Sequence, residues 1–329
     1  MPAPASPASP AHIDPRLLRV FVTVAEELHF TRAAARLYVA QQALSRDVRR
    51  LERELGAELF LRTTRQVALT PDGVRLLPYA RRVLAAQDAL LAAFGQARPL
   101  LVDLNSPGLE TGRRVLHRAR ELAPDCELMA RYESGLTGAA ADLLAGRLDV
   151  SFGRFAGLDP ALRSGLEHLP VRFEPMAVIL PSDHRLATRE AVPLAALAGE
   201  TVYAGAGNER TLEWTDLAFH LFEGRRIAVA PPLPLAVGEE EFQRVMAKDR
   251  YPILAVVGFP AIPGSVSRPL IDPVPLSPVS LVWRKGLVHP GVDALRRAAA
   301  EIGHTEGWLQ RPADGWIPAS DQEVMDDHK

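Results

Sequence analysis

The chain has 329 residues, 38 basic and 40 acidic, for a formal net charge of −2. Charged residues make up 24% and hydrophobic residues 47%, ordinary globular values that exclude wholesale disorder and fibrous repeats. The absence of an apolar run of about 18 residues excludes a membrane-spanning helix, and a single Cys126 excludes a disulfide framework or a cysteine-built metal site. Taken as a sum, the near-neutral charge argues against a nucleic-acid partner, but it hides an asymmetry. Through Arg98 there are 14 arginines against 9 acidic residues, a net of +5. The remainder holds 24 basic and 31 acidic residues, a net of −7. Arginine supplies a planar fork suited to phosphates and guanine edges. The chain has only 3 lysines, so the choice of Arg is a whole-chain habit, whereas the sign difference is not.

Residues 1–13 open with Pro and small residues and read as a disordered tail. They lack the charged and apolar regions of a signal peptide, which together with the lone Cys points to the cytoplasm. A first helix is expected over Pro15 to Leu28, capped by Asp14, with Leu17, Phe21, Val24 and Leu28 on one stripe. A second runs from Thr31, its candidate cap, to about Tyr38. After a break at Val39-Ala40 a third runs from Gln41 to Leu55 and is closed by Gly56. Its apolar side is Leu44, Val48, Leu51 and Leu55. Its other side carries Gln41, Gln42, Ser45, Arg46, Arg49, Arg50 and Arg53. Gln, Ser and Arg near a helix N-terminus are base-reading side chains, and two helices across a tight turn make a helix-turn-helix. An ordinary solvated amphipathic helix gives the same stripe. Two short strands, Leu59 to Leu61 and Val67 to Leu69, flank the basic Arg62-Thr63-Thr64-Arg65-Gln66, a wing able to reach phosphates or a minor groove. Thr70-Pro71-Asp72-Gly73 then opens a long helix reaching about Phe94 and carrying Pro78. Leu77, Leu84 and Leu91 recur every seven residues along it, a helix-pairing seam.

The run Phe21-Val22-Thr23-Val24-Ala25-Glu26-Glu27-Leu28-His29-Phe30-Thr31-Arg32-Ala33-Ala34 resembles the N-terminus of the LysR-type transcriptional regulators. So do Gln41-Gln42-Ala43-Leu44-Ser45-Arg46, Leu51-Glu52-Arg53-Glu54-Leu55-Gly56 and Leu69-Thr70-Pro71-Asp72-Gly73. The likeness is gap-free over the first quarter of the chain. Two positions depart from it: Ala40 where the family has Ser, weakening the helix start by about 0.5–2 kcal/mol, and Gln42 where it has Pro or Ser, adding an amide for adenine. The resemblance implies a winged helix-turn-helix head over 14–70 that binds double-stranded DNA. Gln41, Gln42, Ser45 and Arg46 would face bases, Arg49 and Arg50 phosphates, Arg62 and Arg65 would act from the wing, and Thr31 and Arg32 would also touch the DNA. It further implies a dimerising linker helix over 71–96, paired at Leu77, Leu84 and Leu91, and a dimer of dimers.

Beyond the Ala97-Arg98-Pro99 linker, apolar strands alternate with helices, as in parallel-sheet βαβ units. Strands are expected at 100–104, 127–132, 148–152, 177–180, 201–204, 227–230, 253–257 and 279–283. Helices are expected at 113–122, 136–145, 212–222, 239–247 and 292–302. The pieces Leu143-Leu144-Ala145-Gly146-Arg147-Leu148-Asp149-Val150 and Ala177-Val178-Ile179-Leu180-Pro181 resemble the effector-binding domain of the same family, itself similar to periplasmic binding proteins. That implies two α/β lobes, 99–170 with 270–304 and 171–269, holding a small-molecule effector between them. Ala247 to Pro252 stands where the family has a Gly-Leu-Gly segment.

Candidate effector-binding residues follow from strand-to-helix placement. Asn105, Ser106, Thr137 and Asn208 lie in loops able to hold an anion, and Arg154 suits a carboxylate. Ser106 and Thr137 read equally well as helix caps, and Trp214 reads more readily as core. Residues 305–329, with Trp308, Trp316 and an acidic end, lack periodicity and read as a mostly disordered C-terminal tail. No nucleophile–base–orienter motif, metal-spaced histidines or glycine-rich phosphate loop occurs, so neither an enzyme, a cofactor nor a metal is expected. A DNA-binding or architectural protein without small-molecule control remains the alternative.

Overall fold

The computed structural model describes residues 13–37, 39–62, 67–93, 98–106, 108–132, 135–232, 243–244, 247–260 and 262–326, with the side chains of Arg62, Ala89 and residues 91–93 left aside. The chain divides into two compact units, Met1–Ala97 and Arg98–Lys329.

In the head, α1 (Pro15–Glu27) starts as its sequence dictates: Asp14 accepts a hydrogen bond from the Arg16 N–H at 2.8 Å and Pro15 occupies the first turn. α2 (Phe30–Arg36) begins one residue before the expected start. Its cap is His29, whose ring Nδ1 accepts from the Arg32 N–H at 3.4 Å, so Thr31 falls in the first turn. α3 (Gln41–Leu55) ends on Gly56 at φ +65°, the left-handed conformation that a C-terminal cap uses. β1 (Phe60–Arg62) and β2 (Val67–Leu69) form the antiparallel wing, with Phe60 opposite Leu69. α4 (Pro71–Ala93) is capped by Thr70, whose Oγ1 accepts from the Gly73 N–H at 3.0 Å. The core joins Leu17, Phe21 and Val24 to Leu44, Val48, Leu51 and Phe60, with Phe21 and Phe60 rings 5.5 Å apart.

The body is built on a nine-stranded mixed sheet in the order β4-β3-β5-β12-β6-β11-β7, with β10 also on β6 and β13 also on β12. β3 (Leu100–Asp103), β4 (Leu128–Arg131) and β5 (Val150–Gly153) are parallel, linked by α5 (Glu110–Leu122) and α6 (Leu136–Ala145). A short turn of helix, α7 (Pro160–Arg163), leads into β6 (Leu166–Pro181), a 16-residue strand that runs through both lobes. The sequence suggested a strand only over 177–180, because Pro170 and Pro175 interrupt the pattern; both stand opposite β12 in the ladder. Lobe II adds β7 (Val192–Pro193), β8 (Thr201–Val202), α8 (Leu212–Phe222), β9 (Ala228–Val229), β10 (Ile253–Val256) and β11 (Ser265–Ile271). β12 (Val274–Arg284) then returns antiparallel to β6 and β5, so the sheet is mixed rather than parallel throughout. Its register with β6 shifts between Val279 and Ser280, a bulge of the kind that bends a strand, placed where β6 and β12 cross between lobes. α9 (Pro290–Glu306) packs on α5 across the lobe I core of Leu100, Val102, Val115, Leu281 and Leu295. Lobe II has its own core around Met176, Leu180, Leu194, Val202, Leu217 and Leu221. Most of the helix expected over 239–247 lies outside the described residues.

The C-terminal stretch is ordered through Asp326, contrary to the disordered reading. β13 (Gly315–Trp316) adds in parallel to β12 at Val274 and Pro275, and α10 (Ala319–Asp326) follows. Trp308 and Met325 are buried, 5% and 6% exposed. Its elements are two and eight residues long, too short for a period to register, and their burial comes from the body rather than from their own amphipathicity.

Candidate nucleic-acid interface and ligand sites

α3 buries Leu44, Val48 and Leu51 completely. The same helical geometry turns Gln41, Gln42, Arg46, Arg49 and Arg50 outward, all exposed, with Ser45 half-buried beside them. Ala40 gives the helix no side-chain cap, and the first turn holds no acidic residue. Its first N–H groups therefore have no capping side chain or carboxylate of their own, a start suited to phosphate. Among the described residues Arg46 and Arg49 have no ion pair. Arg50 is tied to Glu54 at 2.8 Å, so the expected phosphate contact requires exchange of that exposed pair. Arg32 donates to the Glu27 carbonyl at 2.6 Å and pairs with the Glu27 carboxylate at 3.4 Å, while Thr31 is exposed. Arg62 ends β1, and Arg65 lies outside the described residues.

The outer helices are braced by a buried carboxylate. Glu26 of α1 accepts from Arg36 of α2 at 2.9 Å and from Arg81 of α4 at 3.3 Å. Burial pushes its carboxyl upward, and the two guanidinium groups oppose that shift.

Two of the three residues expected to form the pairing seam on α4 are placed against the head's own core. Leu77 and Leu84 pack with Ala80 into the head's own core, Leu84 being 8% exposed. The side chain of Leu91 lies outside the described ones. The outward apolar stripe is Tyr79, Val83, Ala86 and Leu90, spaced by four, three and four residues, with Tyr79 56% and Leu90 59% exposed.

In the body, each candidate ligand residue already has a partner within the chain. Asn105 donates from Nδ2 to the Phe152 carbonyl at 2.6 Å, and the Ser106 hydroxyl accepts from the Gly108 N–H at 3.3 Å. Asn208 Oδ1 accepts from the Arg210 N–H at 3.0 Å. The α6 N-terminus does receive an acidic side chain, but it is the chain's own Glu213 of α8. Its carboxyl accepts from the Leu136 N–H at 2.8 Å, the Thr137 N–H at 3.1 Å and the Thr137 hydroxyl. Burial pushes that carboxyl upward against these hydrogen bonds. Gly135, at φ +114°, lies so close to α8's lead-in that an added Cβ would meet the Arg210 carbonyl oxygen at 2.3 Å. Arg154 is 4% exposed and holds Asp321 of α10 through Nε at 3.0 Å and a terminal nitrogen at 2.8 Å, plus Asp216 of α8 at 2.5 Å. Trp214 packs against the lobe II core, as the core reading had it.

A cavity of about 360 Å³ lies between α8 and the C-terminal segment, lined by His220, Arg225, Trp316 and Ser320 among others. A second, of about 100 Å³, sits where the strands cross, between Gly108 and Glu110 of lobe I, Arg172, Glu174 and Pro175 of β6, and Val256 to Gly258 of lobe II. None of the five expected ligand residues lines either. In the second cavity the buried Glu174 accepts from the Thr111 hydroxyl at 2.5 Å, and Arg172 donates to the same hydroxyl at 3.0 Å. Burial holds the Glu174 carboxyl above the usual range. Sequence reasoning missed this trio, because Thr111 and β6 are brought together only by the fold. It missed Glu213 and Asp321 for a related reason: each reads locally as an acidic residue near a helix start. Among the described residues no group of three or more His, Cys, Asp or Glu could hold a metal ion, and no helix is long and apolar enough to cross a membrane.

Residues 15–74 match the model of the bacterial regulatory helix-turn-helix proteins of the lysR family, and residues 106–302 match the LysR substrate binding domain. The chain is similar to the HTH-type transcriptional regulator IlvR of Caulobacter vibrioides, 30% identical over 317 residues, which cover 88% of this chain and 99% of that protein. It is 38% identical over 196 residues to the uncharacterized HTH-type transcriptional regulator YnfL of Escherichia coli. That span is 57% of this chain and 64% of YnfL, a little under two thirds of the relative's length. Among solved structures, a full-length OxyR variant from Pseudomonas aeruginosa superposes with a TM-score of 0.62 at 24% identity, over 89% of this chain and 95% of that one. This likeness concerns the fold.

Proposed function

The chain belongs to the LysR family of bacterial helix-turn-helix regulators, and from that premise we propose that it is a cytoplasmic, sequence-specific, double-stranded DNA-binding transcriptional regulator under small-molecule control, without enzymatic activity. The observation that carries the DNA-binding half is the outer face of α3. Gln41, Gln42, Ser45 and Arg46 stand together at the N-terminal end, the end a recognition helix presents to base edges. Arg49 follows one turn later as a cation for phosphate, without an ion pair among the described residues. Arg50 joins it when Glu54 is displaced, and Arg62 and Arg65 act from the wing. Thr31 and Arg32, at the start of α2, contact the backbone.

The effector reading moves from the five loop residues to the cavity at the strand crossing. Thr137 and Arg154 have carboxylates of their own chain in place, whereas the crossing cavity is open and reaches both lobes. Its polar lining is Arg172, Glu110 and Glu174, so it suits a small polar molecule that pairs with a guanidinium and donates to a carboxyl. A ligand bridging Glu110 and Val257 would favour one lobe spacing over another, which is what control by differential affinity requires. Self-association into dimers, and dimers of dimers, would use the outward stripe of α4.

The DNA-binding half is tested with Arg46→Ala on a selected operator. The loss of a bidentate base contact lowers specific affinity by about 1–3 kcal/mol, while non-specific binding and the thermal transition stay as in the parent. Unchanged operator affinity would refute the assigned face.

A further inference from the structure

Arg154 leaves lobe I at the end of β5, and its side chain is 3% exposed. All three guanidinium nitrogens are engaged. Nε donates to both Asp321 carboxylate oxygens at 3.0 Å. One terminal nitrogen donates to Asp321 at 2.8 Å and reaches the Ser320 hydroxyl at 3.5 Å. The other donates to Asp216 at 2.5 Å and to the Glu213 carbonyl at 3.1 Å. A single lobe I cation thus grips lobe II's α8 and the C-terminal helix together. Asp321 is completely buried, whereas the side chain of Asp216 is 46% exposed.

The path of the C-terminal segment gives this contact its meaning. Trp308 is part of the lobe I core, and β13 is paired with β12 just before the bulge. Trp316 packs on the lobe II core, with the Arg225 guanidinium 5.9 Å from its ring. α10 then returns to the seam, where Val324 packs against the cluster around Leu136 and Phe155 and Met325 reaches the Ser280 hydroxyl at 4.0 Å. In about twenty residues the segment touches lobe I, the crossing strand, lobe II and the seam between them.

We propose that residues 315–326 are an intramolecular strap, and that the site on Arg154 is a carboxylate-binding site whose resident ligand is the strap's own Asp321. The strap holds the two lobes at one spacing when no small molecule is bound. A buried guanidinium stripped of its main partner is costly, so the strap stays docked until another carboxylate replaces Asp321. Any effector in the crossing cavity then acts on lobes that are already tied.

The test is hydrogen exchange, comparing the parent chain, its Asp321→Ala variant and a chain ending at Pro318. Both variants should exchange about tenfold or more faster in α6, α8 and residues 155–157, with the head and the lobe I core unchanged. Sodium acetate should restore protection in Asp321→Ala, and sodium chloride at the same ionic strength should not. Parent-like exchange at those sites would overturn the proposal. So would faster exchange throughout the body, because a strap is separable from the lobes it ties. A local rise that acetate leaves unaltered would overturn the carboxylate site.

Discussion

At the residue scale, single side chains decide which expectation the fold keeps. Gly73 was legible only as part of a helix start, yet an added Cβ would lie 2.3 Å from the Leu59 carbonyl oxygen and 2.8 Å from Leu69. The helix sits directly on the wing there. Gly73→Ala should cost the head about 1–3 kcal/mol by overpacking, seen as a lower thermal midpoint of the head; a parent-like midpoint would contradict that packing. Glu174 gives a pH prediction. Its carboxyl is raised by burial, so the folded state binds its proton more tightly than the unfolded chain does. The stability it contributes is full below the ordinary glutamate range and is lost as pH rises through the elevated folded value. Glu174→Gln keeps an acceptor for Thr111 and removes the ionisation. Relative to the parent, the variant should therefore gain stability as pH rises from about 4.5, measured by urea unfolding across pH. A stability difference independent of pH would contradict the assignment. Arg154 shows the limit of reading side chains alone: its chemistry was legible as carboxylate recognition, but which carboxylate depends on where residue 321 folds.

At the element scale, helices with their own caps and stripes were the most legible. Asp14-Pro15, Gly56 and Thr70-Pro71 mark boundaries that the structure places within a residue of expectation. The strands β6 and β12 were read only in part, since their prolines and full burial erase any alternation. α4 was legible as a helix but not in its orientation. A seven-residue period identifies a stripe without saying whether α1 or a second copy covers it, and α1 covers Leu77 and Leu84. The two faces can be separated experimentally. Val83→Glu should lower the mass seen by sedimentation while leaving the head folded, because Val83 is 46% exposed. Leu84→Glu should unfold the head, because it buries a charge in the core. An unchanged mass for Val83→Glu would rule out the outward stripe as the self-association face.

At the scale of the whole molecule, the charge asymmetry now has an address. Arg98 falls in the body, so the head, Met1–Ala97, holds 13 arginines against 9 acidic residues, a net of +4, and its outer α3 face is arginine and glutamine. The body, Arg98–Lys329, holds 25 basic and 31 acidic residues, a net of −6, and its buried arginine and α6 N-terminus are partnered by Asp321, Asp216 and Glu213. Near-neutrality is the sum of two units with different work. The architecture of the body was legible because strand–helix alternation survives in local pattern. Its ligand geometry was not, because every decisive contact there joins residues far apart in the chain: Arg154 with Asp321, Thr137 with Glu213, Thr111 with Glu174. The central claim is that the α3 face reads sequence in double-stranded DNA. The most direct measurement is selection of bound sites from random duplex DNA by the full chain, followed by footprinting of the selected site with the parent and Arg46→Ala. The account predicts a reproducible site with two related half-sites, salt-sensitive protection by the parent, and selective loss of protection with Arg46→Ala. Failure to enrich any sequence, or identical footprints from both proteins, would contradict it.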